Sequence, residues 1–336
     1  MTRRLVGDTR FPRRTLLRAG IAAGLTGLLG QNLVACSTPD AGPIVVAGGE
    51  TGGFYFEFAT LLAEALQRHH LTSNATVLPT GGSVENVSLL MAGEATFAVA
   101  LADAAMAEGG PDGKYPGQIA ALGMVYQNYV HAMVRKDSDI TSLADLAGGS
   151  AAAGNVGSGT ALMSSRLLRL AGLDVATENR PPSASSVTMK PLGLNDGIIA
   201  LTEGSVDVLF WSGGVPTAAI AQANKTTQLS MLDLSGFLPE LRHEYGIVYD
   251  NVLVPANSYA GIDATRTIGV PNLLLCRMDL AESIVARTVN LLVEHADELV
   301  PHTSAGVQFL TPEMLINTAD IPLHPGAVKA YRQLHG

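Results

Sequence analysis

The chain has 336 residues, of which 47% are hydrophobic and 15% charged, with 30 acidic against 21 basic side chains and a formal net charge of −9. That balance excludes a nucleic-acid binder, which needs a basic face to neutralise phosphates, while the apolar share is enough to fill one or two α/β cores. Two cysteines, no CxxC, no HExxH and no pair of histidines at helical spacing with an acid point to neither a disulfide framework nor a metal or cofactor site.

The first predicted element is an export signal over residues 1–35. Arg3, Arg4, Arg10, Arg13, Arg14 and Arg18 stand against Asp8 alone, and an uncharged run from Ala19 to Ala35 follows. A basic region, an apolar run and small residues before a cleavage point have that meaning. The run is weakly apolar and at or below the ~17-residue lower bound for a spanning helix. Arg13-Arg14 with Thr15-Leu16-Leu17-Arg18 resembles a twin-arginine export motif. Leu33-Val34-Ala35-Cys36 resembles a bacterial lipobox, whose cysteine is lipidated and becomes the first residue. Six basic residues and one acid precede Cys36, so the remainder carries a formal charge of −14. Such a surface repels anions at long range, and an anionic guest must be held by local dipoles. With Cys36 lipidated, Cys276 in the run NLLLCR is a free thiol and reads as a small buried hydrophobe. His69 and His70, near a helix end, read as solvated.

A polar tether over residues 36–43 leads into alternating strands and helices. Strands are predicted at Ile44–Ala47, Thr76–Leu78, Thr96–Ala100 and Val130–Val134. Apolar spacing at Phe54, Phe58, Leu61, Leu62, Ala65 and Leu66 predicts a helix, and Ser83 begins another carrying Val84, Val87, Leu90 and Met91 on one face. Asp103 is placed to cap a short helix. A second set opens with strand Ala151–Ala153 and a helix from Thr160 to Ala171, stopped by Gly172. Strands Val187–Leu192 and Val206–Phe210 follow, with a helix start at Asn195-Asp196 between them. Pro216 then fits the first turn of a helix running through Ala223, before strand Leu229–Leu232. Strand Asn272–Cys276 leads to a long helix Leu280–Leu299, with Asp279 and Glu282 as its capping box. Two strand–helix sets imply an α/β chain with mostly parallel sheet in two lobes, and ligand sites outside the carboxyl ends of strands.

Four small-residue turns lie between a strand and a helix: Gly48–Gly53, Thr80–Ser83, Gly157–Thr160 and Ser212–Gly214. Glycine lets backbone approach a ligand closely, and helix starts offer unpaired N–H donors with partial positive charge. Four such ends converging would hold carboxylates without any arginine. The spacings do not match the dinucleotide fingerprint, the P-loop or the nucleophile elbow.

These turns also carry a resemblance. The segments GGETGGFYFEFATLLAEAL, LPTGGSVENVSLLMAGEATFAVA, SLADLAGGSAAAGNVGSGTAL, VDVLFWSGGVPTAAI, IGVPNLLLCRMDL and PLHPGA resemble, in order, the TAXI-type solute receptors of TRAP transporters. The resemblance implies a two-lobed type II periplasmic-binding-protein fold with the ligand cleft between the lobes. Lobe one would be residues 44–135 with 277–336 and lobe two 136–276, with crossing strands near Val130–Arg135 and Leu273–Arg277. It implies an extracytoplasmic lipoprotein, periplasmic or at the cell surface, with no catalysis and no cofactor. Such a receptor captures a small organic anion or amino acid (glutamate, glutamine, or a 2-oxo or dicarboxylic acid) and delivers it to TRAP integral membrane subunits. Its partners would be that solute, those subunits and, through Cys36, the lipid bilayer. The ligand residues carried over are Gly53, Phe54 and Tyr55 from the first turn, Ser83 and Asn86 from TGGSVEN, and Asp103. Lobe two adds Ser158, Gly159 and Thr160 from GSGT, with Trp211, Ser212, Gly213 and Gly214 as a wall. Where many members read Gln-Ser-Asp after the third strand, this chain has Leu101-Ala102-Asp103, so two hydrogen-bonding side chains are lost.

Structural roles compete for several of these residues. Tyr55 and Trp211 fit packing roles, Ser83 and Asp103 helix caps, and Asn86 a contact within its own turn. A ligand-sensing lipoprotein serving a signalling partner would use the same cleft, and a periplasmic hydrolase or isomerase would differ in turning its ligand over.

Overall fold

The computed structural model describes residues 40–176, 183–301 and 310–335. The export signal, the lipobox with Cys36 and the first residues of the tether lie outside them. In chain order the elements are β1 Ile44–Ala47, α1 Phe54–Arg68, β2 Ala75–Leu78, α2 Ser83–Ala92, β3 Phe97–Leu101, α3 Ala102–Gly109 and β4 Ile119–Arg135. Then come β5 Ser150–Ala152, α4 Gly159–Leu170, β6 Asp174–Ala176, β7 Ser186–Lys190, α5 Leu194–Thr202, β8 Val208–Gly213, α6 Ala218–Ala223 and β9 Leu229–Met231. The chain closes with α7 Leu238–Tyr245, β10 Asp250–Val254, β11 Thr265–Arg277, α8 Glu282–Glu294, α9 Pro312–Leu315 and α10 Pro325–His335. Among the described residues no helix is long and apolar enough to cross a membrane.

The strands form one mixed sheet in the order β2-β1-β3-β11-β4-β8-β5-β7-β6, with β10 on β11 and β9 on β4. At one end β1 pairs in parallel with β2 and β3; at the other β6, β7, β5 and β8 run parallel. Parallel strands covered by helices are buried on both faces, and β3 (FAVAL) is buried at every position. Two parallel sets, each with its own helices, give the two α/β lobes expected.

The long antiparallel strands β4 and β11 join them. β4 pairs with β11 from Ile119 to Tyr129 and with β8 from Tyr129 to Val134. β11 pairs with β10 over Thr265–Gly269 and with β3 over Asn272–Leu275. The exchange of partners therefore lies at Tyr126–Tyr129 and Gly269–Asn272, just N-terminal to the crossings expected at Val130–Arg135 and Leu273–Arg277. Register shifts flank Leu273 and Leu274, and bulges of this kind bend and twist a strand.

Other expectations need correction. The capping box at Asp279 and Glu282 does not form, because Arg277 takes the Asp279 carboxylate through Nε (2.8 Å) and Nη2 (2.5 Å). A bidentate charge-assisted pair is stronger than a bond to a backbone amide. α8 instead starts after Ala281, and its chain leaves α-geometry at His295 before a 3₁₀ turn over Ala296–Leu299. Asp103 is not a cap either: it lies inside the first turn of α3, whose N-cap is Leu101. Pro216 precedes its helix, which begins after Thr217.

Candidate ligand-binding cleft

The β1–α1, β2–α2 and β5–α4 turns and the end of β8 meet at one cavity between the lobes, about 40 Å³ in volume. Lobe one lines it with Gly49, Glu50, Gly53, Phe54, Tyr55, Gly81, Gly82, Ser83 and Leu101, and lobe two with Ser158, Gly159, Thr160, Trp211, Ser212 and Gly213. A site for one water needs roughly 10–15 Å³ on this measure, so the space suits a compact guest.

Each wall follows from local chemistry. α1 starts at Phe54 after Gly53, and no side chain caps its first turn, so its free amides and the positive end of its dipole face the cavity side. The start of α2 is occupied: the amides of Val84 and Glu85 donate to the Gly157 carbonyl of lobe two at 2.9 and 3.1 Å. Gly82, not Ser83, is the N-cap there. The Ser83 hydroxyl instead accepts from the Leu101 amide (3.1 Å) and lies 3.3 Å from the Tyr55 hydroxyl, which donates to Asn272 Oδ1. The start of α4 is capped by Ser158, whose Oγ accepts from the Ala161 amide at 3.0 Å. Gly159 makes room for lobe one: an added Cβ would lie 2.5 Å from Leu101 Cδ1 and 2.7 Å from Ser83 Oγ, and both side chains would have to shift. That absence of a side chain lets the two lobes meet.

The fourth turn differs from expectation. α6 begins at Ala218, away from the cavity, so β8 contributes its end and not a helix start. The Ser212 amide donates to Thr160 Oγ1 at 3.2 Å, fastening the strand end to α4. Trp211 folds back over Gly213, where a Cβ would sit 2.2 Å from the indole nitrogen. The indole N–H donates to Thr217 Oγ1 (3.1 Å), and the Thr217 amide donates to the Tyr259 hydroxyl (2.8 Å). His131 completes this support. Its Nδ1 lies 2.9 Å from the Tyr129 carbonyl and its Nε2 2.9 Å from the Tyr259 hydroxyl. Because the carbonyl can only accept, Nδ1 carries the proton and Nε2 accepts from Tyr259. Burial drives the His131 pKa down to about 4, which keeps the ring neutral. Outside Trp211 a wider recess of about 410 Å³ is lined by Thr51, Phe56, Leu61, Gly214, Pro216 and their neighbours.

Of the residues expected to bind ligand, Gly53, Phe54, Tyr55, Ser83, Ser158, Gly159, Thr160, Trp211, Ser212 and Gly213 line the cavity, and Gly214 lines the outer recess. Asn86 and Asp103 line neither. Asn86 is fully buried and donates to the carbonyls of Gly48 (2.6 Å) and Val99 (2.7 Å), tying the end of β1 to the middle of β3. Asp103 is bound by Arg166 Nη1 (2.6 Å) and by the Tyr249 hydroxyl (3.0 Å). Burial pushes the Asp103 carboxyl up from its ordinary value, with Arg166 and Tyr249 acting against that shift.

Glu50, Leu101 and the glycines at 49, 81 and 82 also line the cavity; all but Leu101 lie in the turns singled out from the sequence, though none was among the ligand residues carried over. Glu50 is the one charged side chain on the inner wall. It reaches across to lobe two, accepting from Asn155 Nδ2 (2.9 Å) and from the Leu194 amide at the start of α5 (3.1 Å). Burial pushes its carboxyl up, and the Leu194 amide opposes that shift. The signal was an acid inside one of the converging glycine turns, GGETGG.

The sequence model of the NMT1-like family matches residues 46–333. Among solved structures, XAC2383 from Xanthomonas citri bound to chloride is 15% identical with a TM-score of 0.50, over 88% of this chain and 96% of that one. A periplasmic transporter is 11% identical with a TM-score of 0.50, over 89% and 94%. The shared architecture is the two-lobed type II periplasmic-binding-protein fold.

Proposed function

The chain belongs to the NMT1-like family, and on that premise we propose that it is an extracytoplasmic solute-binding receptor for a small organic anion or amino acid. The reading rests chiefly on one observation: the uncapped start of α1 borders an inter-lobe cavity lined by hydroxyls, glycine backbone and the apolar side chains of Phe54, Leu101 and Trp211, with no cationic side chain among the described residues of its wall. Free amides and a helix dipole favour a negative group by about 0.3–2 kcal/mol each. Glu50, the one acid on the wall, has both oxygens engaged by lobe two, which limits its opposition to an anionic guest.

The ligand class is glutamate, glutamine or a 2-oxo or dicarboxylic acid, and the receptor binds it without turning it over. Closure of the lobes, residues 44–135 with 277–336 over 136–276, traps the guest. The closed form then delivers it to TRAP-type membrane subunits, with the chain held to the bilayer through Cys36. A thermal-shift screen of C4–C6 acids and amino acids tests the binding role, because a ligand that binds only the folded state raises its melting temperature. A rise of several degrees with one member of the set is expected, and mass spectrometry should recover that compound unchanged. No shift with any member rejects the ligand class.

A further inference from the structure

We infer that His69, His295 and Glu298 form a binding site for one divalent transition-metal ion of the zinc class. The three come from two parts of lobe one: His69 is the C-cap of α1, while His295, the C-cap of α8, and Glu298, in the 3₁₀ turn that follows it, belong to one segment. Each offers one ligand atom, and the three atoms lie within 4.8 Å of one another. His69 Nε2 is 3.0 Å and His295 Nδ1 3.4 Å from the same carboxylate oxygen, Glu298 Oε1. In a tetrahedral zinc site with bonds near 2.05 Å, neighbouring ligand atoms are about 3.3 Å apart. Two of the three edges of such a site are therefore already in place.

The imidazole rings stack at 3.6 Å between centroids and 23° between planes. The three side chains are 25–34% exposed, which leaves them free to rotate onto an ion and leaves its fourth position open to water. Two imidazoles and one carboxylate select zinc, nickel or copper over magnesium or calcium, which take oxygen ligands. Without metal, the Glu298 charge is met by Arg68, whose Nη1 contacts Oε2; an ion on Oε1 shares the carboxylate with that guanidinium and is repelled by it. The site lies at the opposite end of α1 from the cleft, about 22 Å away for a 15-residue helix. It is thus independent of solute binding, and it would clip the ends of α1 and α8 together.

The test is a calorimetric titration of the EDTA-stripped full-length chain with zinc chloride alone, with magnesium chloride as control. One zinc per chain with micromolar or tighter affinity is expected, with no heat from magnesium. His69→Gln keeps a donor for Glu298 but supplies no imidazole, so zinc affinity should fall at least about tenfold while the metal-free melting temperature stays near that of the parent. Glu298→Gln should weaken zinc similarly, and Arg68→Gln should strengthen it by removing the competing cation. Absence of zinc binding, or binding unchanged in both His69→Gln and Glu298→Gln, overturns the site.

Discussion

Ser83 and Thr160 are small hydroxyls in glycine turns, and both already work for the protein. Ser83 Oγ accepts from Leu101, and Thr160 Oγ1 accepts from Ser212. Thr160 Oγ1 can still donate its proton, and Ser83 Oγ, whose proton is directed at the Tyr55 hydroxyl, can still accept a second bond. The double substitution Ser83→Ala with Thr160→Ala should therefore raise the dissociation constant of a bound acid about tenfold or more, at ~1 kcal/mol per hydrogen bond. Isothermal titration against the parent chain measures it, and an unchanged affinity would remove both residues from the ligand contacts. Asn86 behaves differently. Asn86→Ala strips partners from the Gly48 and Val99 carbonyls inside the protein, so it should cost about 2–4 kcal/mol in a urea unfolding experiment. The two kinds of residue also differ in how legible they were. A glycine–hydroxyl turn announces itself within a few residues, since its chemistry is local. The role of Asn86 depends on Gly48, 38 positions away, and that of Asp103 on Arg166, 63 positions away. Nothing in the neighbouring sequence distinguishes such a residue from a ligand contact.

Among the elements, α3 and α4 are joined by the buried pair Asp103–Arg166, with 0% and 9% side-chain exposure. The Tyr249 hydroxyl accepts from Arg166 (2.6 Å) and donates to Asp103. Removing one partner of a buried pair strands the other charge, at about 3–5 kcal/mol, whereas replacing both by neutral groups is often close to neutral. Arg166→Met should therefore lower unfolding free energy by that amount, and Asp103→Asn in the same chain should restore most of it. Equilibrium denaturation of the parent, the single and the double variants decides the point, and a double no better than the single would deny the coupling. Sequence pattern found the elements whose signal is self-contained, such as α1 and β3. It found only the last part of β4, because Ile119–Met124 reads IAALGM, with little β-branched or aromatic character. That stretch is extended through its neighbours: Gly123 leaves room for the Leu315 carbonyl and the Tyr331 hydroxyl, 2.8 and 2.7 Å from where a Cβ would be. β10 (DNVLV) escaped for a similar reason, since it is short and exposed along most of its length and exists through pairing with β11.

At the scale of the whole molecule, closure and global stability can be read separately. Closure is held by bonds that cross the cleft, namely Gly157 to Val84 and Glu85, and Glu50 to Leu194 and Asn155. Trp211 is the sole tryptophan of the chain and lies on the cleft wall, so its emission should change saturably as ligand closes the lobes. Glu50→Ala should reduce that change by favouring the open form, and an emission spectrum blind to ligand would place Trp211 outside the moving wall. Global stability has its own titrating group in His131, which is fully buried on β4 opposite Trp211 of β8. Its folded pKa is lowered from 6.5 to about 4 because burial disfavours the imidazolium. Between those values the unfolded chain binds the extra proton and the folded chain does not, so stability falls as the pH falls. The contribution is fully present above pH 6.5 and is lost progressively down to pH 4, amounting to roughly 3 kcal/mol for a shift of this size. Protonation at Nε2 would also break the bond from Tyr259 and, through Thr217, loosen the support of Trp211. His131→Gln keeps a donor and an acceptor but does not titrate. Its melting temperature should be lower than that of the parent at pH 7, yet decline less steeply between pH 6.5 and 4. Parallel melting curves for the two chains across that window would show that acid sensitivity arises elsewhere.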